Sequence, residues 1–408
     1  TLEPEACDPL KISSGTVFVG TRSYGDQYFN GQVKNIRVYA GEGSAASLAT
    51  LTDIHGADLT AIGGVGLPLF DRNTRGRLWA LRRMDSDAFD AIQFSDDWGD
   101  RWTVWTTLAQ PAVFPVLNRD AQGNFYYANA VGLLRVDGQS KAEAMVAKWY
   151  PEDKAWSYFS WAWGEDSSGT LFTAAYTLSG SGGQYIWRSA AGGTAWEKLA
   201  TLVALYPDDR HIHSLHSNPF DGRLFASWGD SETRGFGSSK DGGISFRAIA
   251  TPMRSRGPTG ITFTSEGTWT SSDIVGDQNE VAAYPRGKNA GFTAWETPRP
   301  FQTAPLYYVR SVGRNELWVL AYDESRGQSV PALFKLHKRN QIRSPWSTQK
   351  IIGLPFGVAA DNSFYALAHD GLSSIPESSP YVFVSTVGRA GEDLTMLPFS
   401  GVYRIKRE

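Results

Sequence analysis

Asp120-Ala121-Gln122-Gly123-Asn124-Phe125-Tyr126 is a short polar turn that runs straight into an aromatic strand, and the chain repeats this arrangement seven times. It occurs upstream at Asp71–Trp79 and downstream at Asp166–Phe172, Asn218–Phe225, Ser265–Trp269, Gly313–Trp318 and Ala360–Tyr365. The turn residue falls at 76, 123, 169, 222, 267, 315 and 362, in steps of 47, 46, 53, 45, 48 and 47 residues. Glycine or asparagine suits the turn because one residue there takes a positive φ at low cost. The following strand is apolar because inner strands of such a unit are packed on both faces. A period of about 48 residues is too short for a domain and has the size of one four-stranded blade. The predicted fold is all-β, a seven-bladed β-propeller.

A second pattern keeps the same register. Ser95-Asp96-Asp97-Trp98-Gly99-Asp100-Arg101-Trp102 reads S-x-D-x-G-x-x-W, and Ser239–Phe246 reads S-x-D-x-G-x-x-F. Ser189–Trp196 keeps Ser, Gly and Trp but has Ala191 in place of the Asp. The three copies start 19, 17 and 20 residues after their own repeat's glycine. The pattern resembles the Asp-box, or BNR repeat, of sialidase-like propellers over roughly residues 50–408. The resemblance implies Asp-box hairpins in which Ser and Asp bond the backbone of a tight turn and the aromatic packs between blades. It implies architecture, not activity. A sialidase itself matches poorly, since that family is six-bladed and carries an early Phe-Arg-Ile-Pro motif that this chain lacks.

Composition bounds the remaining readings. The chain has 408 residues, 41% hydrophobic and 13% aromatic, enough for a large core in one repeat domain. A net charge of −3 and the lack of a basic run argue against nucleic acid. No apolar run is long enough for a membrane span. Cys7 is the single cysteine, so no disulfide forms within the chain. The first residue is Thr1, and the expectation is a processed chain or one attached to an upstream domain or larger assembly. Residues 1–44 are expected to form an N-terminal β segment ahead of a propeller over 45–408. Its strands, Gly15–Thr21 and Gly31–Tyr39, are expected to complete the last blade and close the ring. The stretch Tyr28–Tyr39 also resembles the final strands of a laminin-G-like lectin domain.

The fold implies where chemistry sits: over the central channel, on the face where inner strands start and second strands end. The fourth repeat stands out there. Asp208-Asp209-Arg210-His211-Ile212-His213-Ser214-Leu215-His216 holds three of the six histidines. His211 and His213 are two apart on a predicted strand and so share a face. The second strand of the same repeat ends near Asp230, Glu232 and Arg234. Neighbouring repeats add Arg254, Arg256, Asp273, Asp277, Tyr307, Tyr308, Arg310, Trp161, Trp163 and Phe114. Aromatic rings stack on sugar faces, and Arg binds carboxylates in bidentate fashion. The set is read as a site for an acidic, uronate-containing polysaccharide. His211, His213 and Tyr308 are the proton-transfer candidates. Arg210, Arg254, Arg256, Arg310, Trp161, Tyr307, Asp230, Arg234 and Asp273 are the binding candidates. In residue types the set resembles the propeller polysaccharide lyases, such as ulvan lyases. That resemblance implies β-elimination with no required cofactor, carried onto His211, His213, Arg256 and Tyr308.

Other readings stay open at this stage. A divalent metal held by His211, His213 and Asp230 is the cofactor alternative, as in oligogalacturonate lyases, which this arrangement resembles. A glycoside hydrolase would draw a carboxylate pair from Asp230, Glu232, Asp273 and Asp277. A glycan-binding module, of a phage tail or a surface lectin, is the non-enzyme reading. The expected location is extracellular, or a phage virion in that last case.

Overall fold

The computed structural model describes residues 10–12, 15–17, 51–52, 58–62, 64–84, 88–148, 156–157, 162–174, 176–177, 185–205, 211–229, 234–249, 258–272, 281–285, 293–294, 306–323, 330–338, 346–353, 363–388 and 402–407. These form seven antiparallel blades in a ring, a seven-bladed β-propeller. Blade 1 is built from Leu69–Phe70, Leu78–Arg83, Phe89–Ser95 and Thr103–Ala112, and blade 2 from Asn118–Arg119, Phe125–Ala128, Gly132–Val136 and Glu143–Lys148. Blade 3 is Trp163–Glu165, Leu171–Thr173, Ile186–Ser189 and Trp196–Leu199. Blade 4 is Ile212–Ser217, Leu224–Trp228, Gly235–Ser239 and Arg247–Ala248. Blade 5 is Pro258–Thr264, Gly267–Ser272, Val281–Pro285 and Thr293–Ala294, and blade 6 is Leu306–Val312, Glu316–Asp323, Val330–Lys338 and Trp346–Gly353. The one helix among the described residues is the short Thr201–Leu205. Among the described residues no helix is long and apolar enough to cross a membrane.

Blade 7 joins the two ends of the chain. Its sheet has five strands: Ser363–Leu367, Tyr381–Gly388, Val402–Lys406 and, from the N-terminal side, Asp58–Ile62 with Leu51–Thr52 outside it. Pairing of Val402 with Ile62 and of Ile405 with Leu59 closes the ring and covers the edge of Val402–Lys406. Among the described residues the closing strand is therefore Asp58–Ile62 rather than the expected Gly15–Thr21. Gly15–Val17 pairs instead with Leu10–Ile12 as a separate hairpin, and 31–39 lie outside the described residues.

The seventh turn also differs from its expected position. Asn362 lies outside the described residues, but the strand after it is the first of its sheet rather than the second. Parallel bridges from His369 to Leu69 and from Ser374 to Ser311 set this segment between the inner strands of blades 1 and 6. The turn into the second strand follows at Pro376–Ser379, where the Ser379 amide donates to the Pro376 carbonyl. A period of about 47 carried past Asn315 lands on an inner strand because this blade is spaced differently from the other six.

Packing follows from the position of each strand. The inner strand Pro258–Thr264 and the second strand Leu224–Trp228 are buried along their whole length. Aromatic rings fill the seams between blades. Trp79 of blade 1 sits 4.7 Å from Phe125 of blade 2, Tyr126 sits 4.9 Å from Trp163, and Phe225 sits 5.6 Å from Phe263. Burying such a ring contributes about 1.5–3 kcal/mol, and a well-oriented ring pair about 0.5–1.5 kcal/mol more.

The two Ser–Asp turns join third and fourth strands and have the same bonds. The Ser95 hydroxyl donates to Asp97 and accepts from the Gly99 amide, while Asp97 accepts from the Arg101 amide at 2.9 Å. Ser239, Asp241, Gly243 and Ser245 repeat this pattern. At the third copy, with Ala191, the Ser189 hydroxyl turns to the Ala195 carbonyl instead. Gly99 has φ +94° and lies against the closing strand, where an added Cβ would meet Ile62 at 2.9 Å. Glycine is thus needed both for the turn and for ring closure.

Candidate active site

Every inner strand of blades 4, 5 and 6 has one extra residue near its start. Ile212 pairs with Trp228 and Ser214 with Ser227, leaving His213 unpaired. Thr259 and Tyr307 take the same place in blades 5 and 6. Such a bulge bends the strand and re-aims a side chain. Strict alternation had put His211 and His213 on one face; here the bulge sets their contact. His213 Nε2 lies 2.9 Å from His211 Nε2, and both rings are buried. Tyr176, half-buried between the second and third strands of blade 3 and paired there with Ser157, lies over His211 with centroids 3.9 Å apart and the rings tilted by 30°. The His211 carbonyl accepts from the Gly229 amide, which fixes this end of the blade. The Ser214 and Ser227 hydroxyls donate to the carbonyls of Thr259 and Pro258 and tie blade 4 to blade 5.

The histidine contact has a chemical consequence. At 2.9 Å one ring donates from Nε2 and the other accepts on Nε2. The donating ring then keeps its lone pair on Nδ1. A proton taken up at that Nδ1 gives an imidazolium whose charge the accepting ring stabilises. This is the orienting arrangement that a general base requires.

The other sequence candidates are distributed differently. Tyr308 is fully buried in the largest apolar cluster, among groups such as Tyr403 and Trp318. Arg310 is fully buried on the inner strand of blade 6. Arg234 is half-buried ahead of the third strand of blade 4. Tyr307 is the bulge residue of blade 6. Phe114 and Trp163 are buried packing rings. Arg210, Asp230, Arg254, Arg256, Asp273 and Trp161, with Glu232 and Asp277, lie outside the described residues. Among the described residues no three His, Cys, Asp or Glu side chains gather to hold a metal.

Of the polar set deeper in the channel, the sequence had singled out Arg310 but not His216, Thr262 or His369. Aligning the bulges makes His216, Thr262 and Arg310 equivalent positions of successive blades. The signal was available: they stand six, five and five residues before their own turn residues. His216 Nδ1 lies 2.8 Å from the Trp163 carbonyl and must donate to it. Burial, then Arg310, pushes His216 down to about 3, against the opposing bond to Trp163. His369 of blade 7 is held well below its usual value by burial and then by Arg310, His216 and Arg72. Blades 4 and 7 are three apart, so these groups act on one another only across the ring axis. Burial also lowers Arg310 to about 10, against the opposing charges of Tyr308 and Asp370.

At the turn end of the channel a second set closes the ring. Arg72 donates to the carbonyls of Asp370 and Arg119 and to Glu165 at 2.9 Å, joining blades 7, 1, 2 and 3. Glu165 also accepts from the Ala121 amide. Asp71 accepts from Arg119, from the Trp79 indole and from two amides of its own turn.

No family model and no curated protein matches the chain. Among solved structures it is similar to a catalytically inactive virginiamycin B lyase from Staphylococcus aureus with quinupristin. That likeness covers 86% of this chain and 100% of the other at 12% identity, with a TM-score of 0.52. It is also similar to the extracellular domain of a putative one-component system from B. thetaiotaomicron. There it covers 86% of this chain and 40% of the other at 11% identity, with a TM-score of 0.51. At these identities the likeness is one of fold alone.

Proposed function

We propose that the protein is a carbohydrate-active propeller that cleaves an acidic, uronate-containing polysaccharide by β-elimination at the start face of blades 3 and 4. The observation that carries this reading is the proton-sharing pair of His211 and His213 beneath Tyr176. In the proposed step one histidine takes the C5 proton of the uronate on Nδ1. The C5–H electrons form the C4=C5 double bond, the C4–O4 bond breaks, and O4 leaves with a proton. Tyr176, whose half-buried ring lies over His211, is the proposed donor, in the role that the sequence had given to Tyr308. Arg254 or Arg256 is the proposed partner of the uronate carboxylate, whose neutralisation acidifies C5. One protein of like fold is named a lyase, but fold alone carries no activity.

The test is incubation of the full chain with a panel of uronate polysaccharides, read by ultraviolet absorbance of the new double bond and by reducing-end release. Both signals are expected to rise together, and His211→Ala to lower the rate at least about a hundredfold. New reducing ends without absorbance would assign hydrolysis instead. Retention on a glycan column without turnover would assign a lectin. An unchanged rate in His211→Ala would remove the proposed base.

A further inference from the structure

Arg310 is a fully buried cation whose described contacts include no carboxylate. Its Nη1 donates to the Ser373 hydroxyl at 2.8 Å, with longer contacts to the carbonyls of Val309 and Ile261. Its Nε and Nη2 have no partner among the described residues. These two nitrogens share one edge of the guanidinium and present two parallel N–H groups, the spacing that fits the two oxygens of a carboxylate. A desolvated guanidinium with that edge empty is strongly disfavoured.

Asp370, whose charge acts on Arg310, accepts on Oδ1 from the amides of Leu372 and Ser374. His216 presents a buried Nε2 that also has no partner among the described residues. Its Nδ1 donates to Trp163, so Nε2 of the neutral ring carries a lone pair that can accept but not donate.

We propose that the channel holds a small carboxylate-class oxyanion on the Nε–Nη2 edge of Arg310, beside His216 and His369. Such a ligand neutralises Arg310 at the ring axis. His216 follows His211 by five residues, about 15 Å along an extended strand. The site is therefore separate from the histidine pair and does not depend on the reaction proposed there.

The test is thermal unfolding of the dialysed full chain in formate or nitrate, with chloride at equal ionic strength as control. Formate and nitrate are expected to raise Tm above the chloride control in a saturable way. In Arg310→Lys, which keeps the charge but loses the two-pronged edge, at least tenfold more formate should be needed for the same shift. Glucuronate, whose carboxylate is carried on a sugar, is expected to give no shift beyond chloride. A glucuronate-specific shift would move the carboxylate's source to the polymer and overturn a sealed small-anion site. Wild-type crystals grown with formate give a readout independent of whether the variant folds. A planar anion on the Arg310 edge supports the proposal, and ordered water there overturns it. So does an equal response to formate and chloride, or one unchanged in Arg310→Lys.

Discussion

Blades 1–3 and blades 4–6 solve the centre of the ring in different ways. In blades 1–3 the described inner strands are only two or three residues long, and charged clasps hold them together. Arg72, Glu165, Asp71 and Arg119 cross from blade to blade there. In blades 4–6 the inner strands run six or seven residues, each with a bulge, and short polar side chains stitch neighbours to backbone carbonyls. The lesson is a division of labour. Ion pairs with fixed partners suit closure, because they leave no group free to react. Bulged ladders do something else: they hold the backbone while re-aiming a side chain, as at His213.

The comparison breaks most sharply at Glu165. Its side chain is 5% exposed and joins Arg72 to the blade 2 amide, so Glu165→Ala should cost about 3 kcal/mol in chemical denaturation. Tyr176→Phe should leave stability within about 1 kcal/mol while slowing turnover, since its ring packing is kept. Equal stability losses in the two variants would erase the distinction between clasp and site.

The Ser–Asp turns give a smaller, pH-dependent test, because one lies in each half. For Asp97 burial works upward but is outweighed by the Arg101 amide, the Ser95 hydroxyl and the Arg101 guanidinium, which bring it to about 2. The Ser245 hydroxyl and amide, then Ser239, bring Asp241 to about 2. Both folded values lie below the unfolded value of about 3.9. Their stabilisation is therefore complete above about pH 4 and lost as pH falls toward 2. Asp97→Ala and Asp241→Ala should each cost about 1–2 kcal/mol at pH 7. The gap to wild type should close across that acid range in urea titrations. A gap that persists at pH 2 would show that shape, not charge, holds the turn. The smallest effect is a gain. Ala191→Asp supplies the missing carboxylate of the third copy and should add about 0.5–1 kcal/mol, measured as a higher Tm.

Six of the seven turns, their spacing and the aromatic strands behind them pointed to the ring, because turn chemistry and strand packing are local and recur at a nearly fixed period; the seventh was misplaced where the spacing changes. The paired Ser and Asp of the tight turns were legible for the same reason: their bonds span at most four residues. His211 and His213 could be named from the sequence, since three histidines crowd one repeat. Their 2.9 Å contact could not be, because it depends on a bulge that breaks strict alternation. Only the tertiary structure decided that Asp58–Ile62 closes the ring, that Tyr308 belongs to the core, that Arg72 bonds the Asp370 carbonyl, and that the charge of Arg310 reaches His369. Those meetings join residues up to about 300 positions apart in the chain. No local pattern encodes them, since closing the ring is what sets which distant side chains share the space at its centre.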